Sequence, residues 1–559
     1  MATEGKAKGT LAEPGARCDA ECETGPKRIN PEIFWLLAVF VLAVVMRTLA
    51  ASTREMIQFD GASYARMAQN LLTGHAPMDI TGSSATHLSI LYPVVTASFS
   101  VMIRNFVTAG YVVSILFSSL LILPVYLFGK VMWSNRVGMA AAALVAVLPF
   151  LVDMGSQIDG QNLFGFWVLC AMFFGYRMQF TKRCMCGMIA GTCLGIAYLD
   201  DPTALYYLVT LFILLVIIGF RQEVSNYANK AAAHFVLLFL LFAIPNVIFM
   251  TWQNSSLTLN DRPMDQLYAV VHNLQPGTIA WEEQVMGLDR AGDIRLNGLE
   301  QGPGLSGTLV SDPLGVLKAS VRQDYDFYVR HAQVLIPLWL IPLFGLGLHK
   351  TVWTRREALK YCYFALLLVP LLTLPLKWTD VRFMLPYMGI FMLWVGRGWM
   401  NLEGWAISSM GELFHSWKAP SRQRVVQVLV AVLVLAPVAG YSIWHVAHAD
   451  YPVEYRQAGE WLKDHGGDGG KVMSREDSTA YYAGADLVPM PYAAEQEIID
   501  YGRRNGVDFL VISQPIVNSL RPQLAGLLAP RRAAYPGLTL VYSSGMGTDR
   551  ETLIYQYSS

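Results

Sequence analysis

Phe59-Asp60-Gly61-Ala62-Ser63-Tyr64-Ala65-Arg66-Met67-Ala68-Gln69-Asn70-Leu71-Leu72-Thr73-Gly74 follows closely on the first long apolar run of the chain and carries an acid where that run ends. Tyr64, Met67, Ala68 and Leu71 recur at helical spacing and give one apolar face, while Arg66, Gln69, Asn70 and Thr73 fall mostly on the other. Gly74 is placed to end the helix. The stretch predicts a short amphipathic helix lying on a membrane surface, with an acid at its first turn. Asp60 then has two readings. It is an N-cap that satisfies orphan backbone N–H groups, or a carboxylate held at the membrane rim for chemistry.

Of the 559 residues, 54% are hydrophobic and 15% charged, against roughly 25% charged in soluble domains. The expected fold class is therefore a polytopic α-helical membrane protein. Formal net charge is zero, which gives no reason to expect nucleic acid as a partner. The seven cysteines (Cys18, Cys22, Cys170, Cys184, Cys186, Cys193 and Cys362) avoid the long polar loop and the tail, so no disulfide framework is offered there. Residues 1–30 are rich in Gly, Ala, Glu and Lys without an apolar period and read as a disordered cytoplasmic tail.

About eleven runs are apolar enough to cross a bilayer: 32–51, 108–129, 137–152, 161–176, 185–199, 203–220, 231–252, 333–349, 359–376, 381–399 and 425–446. Leu88 to Ile103 is shorter, is interrupted by Pro93, and reads as re-entrant or interfacial. With a cytoplasmic N-terminus, the short inner loops hold fifteen Lys and Arg residues, while the short outer loops hold only Lys377 and Arg382. Positive residues favour the cytoplasmic side, so this orientation is expected, and counting 88–103 as a full span would reverse the bias. The expected location is the plasma (inner) membrane, multi-pass, with residues 31–446 as the transmembrane domain. Three larger pieces lie outside: a first loop of about 52–107, a second of about 253–332, and a tail of 447–559 facing the periplasm or exterior.

The tail alternates in character. Pro452 to Asp464, Ala493 to Arg504 and a segment after Pro515 read as helices; Lys471 to Met473, Val507 to Ile512, Leu538 to Tyr542 and Thr552 to Tyr557 read as strands. A small α/β domain follows. No Gly-rich phosphate loop opens its helices, so a nucleotide site is unsupported. Tyr481 and Tyr482 read as core packing rather than a sugar platform.

No Asp, Glu, Lys or Arg lies near the middle of any span, which is where ion-coupled transporters usually need them. The ionisable groups gather at the outer rim instead: Asp60, Asp153, Asp159, Asp200, Asp201, Lys377, Asp380 and Arg382, with His87 in the first loop. At these residues the chain resembles the GT-C superfamily of integral-membrane glycosyltransferases, in particular bacterial members related to protein O-mannosyltransferases and aminoarabinose transferases. The resemblance is carried by the acid and helix of Phe59 to Gly74, by Leu91-Tyr92-Pro93, by Met154 to Gly160 with Asp159, by Gly195 to Leu199, and by Lys377 to Pro386. There are departures. Gly61 follows Asp60 where many relatives carry a second acid; Asp201-Pro202 stands where relatives often have Arg-Pro; no Trp-Trp-Asp motif occurs, which speaks against an oligosaccharyltransferase.

The resemblance implies transfer of a sugar from a polyprenyl-phosphate-linked donor to a lipid, glycan or protein acceptor at the outer face. Asp60 would be the base that takes the acceptor's proton. Arg382 and Lys377 would clamp the leaving phosphate, with Arg54 and Arg66 as weaker phosphate candidates. Asp159 would orient the acceptor or share a divalent cation with Asp60. His87, Tyr64 and Tyr92 would support the acceptor side. A transporter or flippase, and a membrane-anchored binding or assembly protein working through its tail, are the alternatives.

Overall fold

The computed structural model describes residues 30–57, 60–82, 89–181, 184–221, 225–254, 274, 277–294, 312–349, 354–370, 381–413, 419–528 and 535–558. The N-terminal tail, His87, Lys377 and Asp380 lie outside the described residues. The chain is an integral membrane protein. Helix α1 (Pro31–Ser52) opens with Asn30, whose side chain accepts from Glu32 N at 3.0 Å, and with Pro31, whose missing N–H is no loss at a helix start. After it come α2 (Gly61–Leu72), α3 (Leu91–Ile103), α4 (Phe106–Leu120) and α5 (Ile122–Met132). At 1.5 Å per residue the 13 residues of α3 span roughly 20 Å, too short to cross about 30 Å of hydrocarbon.

The run expected as one span over 137–152 is two helices, α6 (Asn135–Val147) and α7 (Pro149–Gly155), meeting at 58°. Pro149 supplies the reason, because without an N–H it cannot bond the carbonyl of Val145. A fully buried arginine takes over that duty. Arg47 of α1 donates from Nη2 to Val145 O (3.3 Å), from Nη1 to Ala146 O (2.9 Å) and Ala43 O (3.1 Å), and from Nε to Ser118 Oγ (2.7 Å). Every bond goes to a neutral acceptor, so Arg47 ties α1 to the broken helix through backbone carbonyls.

The apolar bundle continues through α8 (Gln161–Thr181), α9 (Cys184–Asp200), α10 (Ala204–Arg221), α11 (Ser225–Asn254), α13 (Pro313–Leu335), α14 (Ile341–Leu348), α15 (Arg355–Leu367), α16 (Leu385–Leu413) and α17 (Pro420–Ala447), with a short α12 (Ile279–Val285) in the long loop between α11 and α13. Pro31–Ser52, Phe106–Met132, Lys230–Thr251 and Pro420–Ala447 are long and apolar enough to cross a membrane alone, and the bent pair makes a fifth among the described residues. Of the remaining expected spans, 161–176 and 381–399 fall on helices of 21 and 29 residues, and 185–199 and 203–220 on helices of 17 and 18. The span expected at 333–349 begins in α13, which starts twenty residues earlier inside the expected loop, and breaks at Pro337 before α14.

The C-terminal domain carries a five-stranded mixed sheet of order β2-β1-β3-β5-β4, formed by β1 (Lys471–Ser474), β2 (Asp486–Pro489), β3 (Phe509–Ser513), β4 (Leu538–Ser544) and β5 (Thr552–Tyr557). β1 runs parallel to β2 and β3, and β5 is antiparallel to β3 and β4. Helices α18 (Val453–Leu462), α19 (Asp477–Ala483), α20 (Glu495–Arg504) and α21 (Gln514–Ser519) connect and cover the strands. β2 and α19 were absent from the sequence expectation. The crevice at the carboxyl ends of β1 and β3, where open α/β sheets bind ligands, is lined by Tyr455, Ser474, Arg475 and Ser513 and has a volume of about 10 Å³, room for one water.

Two pieces of the membrane domain reach into this sheet domain. Ile80 of the first loop is wholly buried among Ala458, Leu462, Val472 and Leu487, and its carbonyl accepts from Leu487 N at 2.8 Å. Glu282 of α12, also wholly buried, pairs with Arg475 (2.7 Å) and the buried Arg521 (2.6 Å).

Candidate active site

The site is assembled where α2, the start of α8 and the turn before α16 converge. Asp60 stands at the N-cap of α2, yet its side chain makes no capping bond. Its Oδ2 lies instead 3.4 Å from Arg382 Nη1. The same nitrogen donates to Asp159 Oδ2 at 2.8 Å. Arg382 sits in a 3₁₀ turn, Val381–Met384, whose neighbours Phe383 and Met384 are buried; Pro386 follows in the first turn of α16. One guanidinium thus joins two carboxylates 99 residues apart in sequence. They differ in access: the Asp159 side chain is 6% exposed and that of Asp60 41%.

Asp159 is held on several sides. Its Oδ1 accepts from Gln161 N (2.7 Å), and its own N–H points to Ser114 Oγ (3.4 Å). Ser114 in turn pairs with the hydroxyl of Tyr92 (2.8 Å), which also donates to Gly110 O (2.8 Å). Tyr92 packs its ring 4.9 Å from that of Tyr64. Tyr64 and Tyr92 therefore form the buried floor under the acids, and Ser114 is the link that sequence reasoning missed, since a serine inside an apolar helix carries no signal. Gly61 is required beside Asp60: a Cβ there would lie 2.7 Å from Ile57 Cγ2 and 3.2 Å from Ile158 Cβ. Asp200, also buried, accepts from Ser89 Oγ at 2.6 Å and lies against Gly160.

The other candidate cations are held elsewhere. Arg54 donates to Asp153 Oδ1 (2.6 Å) and to Ser156 Oγ (3.0 Å from Nε), under the ring of Tyr451. Arg66 donates from Nη2 to Ala485 O (2.9 Å) of the C-terminal domain. On the polar side of α2, Arg66 is thus turned to that domain, while Gln69 and Thr73 stay exposed. Lys377 and His87 lie outside the described residues. A divalent cation shared by Asp60 and Asp159 does not fit, because the guanidinium of Arg382 already bridges them, and among the described residues no three His, Cys, Asp or Glu side chains are grouped to hold a metal ion. Tyr481 and Tyr482 pack against Ile57, Tyr64 and Met67, and Tyr482 Oη accepts from Ile57 N at 2.9 Å. They are core, as expected.

Residues 89–249 match the family model described as dolichyl-phosphate-mannose-protein mannosyltransferase. That stretch contains Tyr92, Asp159 and Asp200 but neither Asp60 nor Arg382. No curated protein matches the chain. Among solved structures, ArnT from Cupriavidus metallidurans bound to undecaprenyl phosphate is 11% identical, with TM-score 0.54 over 94% of this chain and 98% of that one. The archaeal oligosaccharyltransferase AglB from Archaeoglobus fulgidus, in complex with an inhibitory peptide and a dolichol-phosphate, is 13% identical, with TM-score 0.55 over 94% and 74%. The same enzyme with Zn and sulfate is 15% identical, with TM-score 0.56 over 94% and 73%. The fold is that of the GT-C glycosyltransferases. Identities this low speak for the fold alone.

Proposed function

We propose that the chain is a glycosyltransferase that moves a sugar from a polyprenyl-phosphate donor to a hydroxyl acceptor at the outer membrane face. The observation that carries this reading is the Asp60–Arg382–Asp159 set: a half-exposed carboxylate released from capping, beside a guanidinium already oriented by a buried acid. In the reaction the acceptor oxygen attacks the anomeric carbon, and its proton passes to the Asp60 carboxylate. The bond from that carbon to the phosphate oxygen breaks, and the lipid phosphate leaves with the electron pair, inverting the centre. The charge growing on the phosphate is met by the Arg382 guanidinium, which the buried Asp159 orients. Lys377 is placed by sequence to assist. Fold and family match support the class of donor; in the two most relevant neighbours the bound ligands are a dolichol-phosphate and an undecaprenyl phosphate.

Membranes containing the wild type should transfer label from radiolabelled undecaprenyl-phosphate sugars, and Asp60→Asn should lower the rate by about 10²–10⁴ while expression holds. An Asp60→Asn enzyme of wild-type rate would remove the base from the scheme. We also infer about eleven spans with the N-terminus cytoplasmic and residues 447–559 outside. Alkaline phosphatase fused after Ser559 should then be active and a fluorescent protein fused there dark; the opposite pattern would turn the site to the cytoplasm.

A further inference from the structure

The chain between α1 and α2 is gripped by the C-terminal domain at the residues that lead into Asp60. Ile57 donates its backbone N–H to Tyr482 Oη at 2.9 Å, and Glu55 O accepts from Arg456 Nη1 at 2.7 Å. The two holding groups belong together, for the Arg456 guanidinium lies over the Tyr482 ring, 5.7 Å from its centroid. Met56 and Ile57 are both buried, Met56 in a cluster with Tyr451, Tyr455 and Tyr482, and Ile57 in one with Ala62, Tyr64 and Met67. Through Ile57 the grip reaches the acid. Its Cγ2 closes on Gly61 to within 2.7 Å of where a Cβ would stand, so the residues on both sides of Asp60 share one seat. Further along, Arg66 bonds Ala485 O and Ile80 O accepts from Leu487 N, so the same domain also holds α2 and the loop beyond it. Asp60 needs such a hold. Its carboxylate makes no capping bond, and its 3.4 Å contact with Arg382 is longer than the roughly 2.7–2.9 Å of a tight charged hydrogen bond. Packing at 482 would be met by a phenylalanine; the tyrosine hydroxyl adds a bond to a loop amide, and catalytic loops work when a rigid scaffold fixes them.

We propose that Tyr482, braced by Arg456, is a positioning residue for Asp60, and that the C-terminal domain serves the reaction as a clamp on the first outer loop. The role of Asp60 as base rests on the transferase reading above; the clamp itself rests on the contacts between the loop and the domain. In this role the domain supplies geometry: it keeps the carboxylate at the distance that proton transfer from the acceptor requires.

Two measurements on the full-length protein in lipid nanodiscs test it, with Tyr482→Phe, which keeps the ring, and Arg456→Ala as a second variant. The first needs no substrate. Amide hydrogen exchange over residues 53–60 should quicken about three- to tenfold in both variants, while α4, as internal reference, keeps its rate. Unchanged exchange over 53–60 would overturn the clamp. The second follows transfer from undecaprenyl-phosphate sugars. Tyr482→Phe should lower kcat by about ten- to a hundredfold and leave the donor KM within about twofold. In an Asp60→Asn background the same change should cost no more than about twofold, because the base it positions is already gone. An unchanged kcat, or an equal loss in both backgrounds, overturns the positioning role and leaves the transferase standing. A wild type that transfers nothing removes the transferase reading and the base with it, while the exchange result still decides whether the domain clamps the loop.

Discussion

Asp60 illustrates how a carboxylate at a helix start can be drawn away from capping. An aspartate at a helix N-cap ordinarily spends its carboxylate on backbone N–H groups, and here it does not, because Arg382 holds the side chain the other way. Asp477, the first residue of α19, belongs to the same scale and has a measurable signature. Burial pushes its folded pKa up to about 7, above the unfolded value of roughly 3.9, so the folded protein binds the proton more tightly, and stability falls as pH rises between those values. Melting curves should show Asp477→Asn more stable than wild type at pH 8, with the difference closing towards pH 4. Asp60, Asp159 and Arg382 were legible in the sequence because acids and bases stand out at the ends of apolar runs. Asp477 was not singled out, since nothing in a soluble α/β segment marks which acid will be left half-buried at a helix start. Arg54 and Arg66 show the converse: basic residues near the rim that pair with Asp153 and with a carbonyl of the C-terminal domain.

Helix α2 transmits position to the site. Its polar stripe is divided between the C-terminal domain, which takes Arg66, and open surface, where Gln69 and Thr73 stay exposed, and amphipathic periodicity alone cannot tell water from a polar partner. Its start is fixed by close approach at Gly61. Gly61→Ala would press a methyl to within 2.7 Å of Ile57 and 3.2 Å of Ile158, at about 1–3 kcal/mol. It should lower both the melting temperature and the transfer rate, and a Gly61→Ala protein unchanged in both would show that the seat has slack. The bend between α6 and α7 was hidden for a related reason. Pro149 was visible, but the arginine that makes its break tolerable lies a hundred residues away on another helix.

At the scale of the molecule, membrane bundle and C-terminal domain are joined through buried groups rather than through a surface contact. The alternation of strands and helices in the tail could be read locally because hydrophobic runs of four to six residues suffice; its attachment could not, because it depends on Ile80 and Glu282 from remote loops. Glu282→Ala would strand Arg521 without its partner carboxylate, wholly buried, at about 3–5 kcal/mol. The purified protein should melt lower and release its C-terminal domain sooner under limited proteolysis; an unaltered digestion rate would mean that the Ile80 contact alone secures the domain.

Ile80 also imposes a schedule. Its partner Leu487 lies about 400 residues further along the chain, and at about 5–20 residues per second the interval between their syntheses is roughly 20–80 s. Throughout that time the first loop has crossed its side of the bundle with an apolar anchor and no receptor for it. The protein is therefore born unlatched: Asp60 and Arg382 can meet only once the turn before α16 is made, and Ile80 finds its seat only when β2 has followed in the final fifth of the chain.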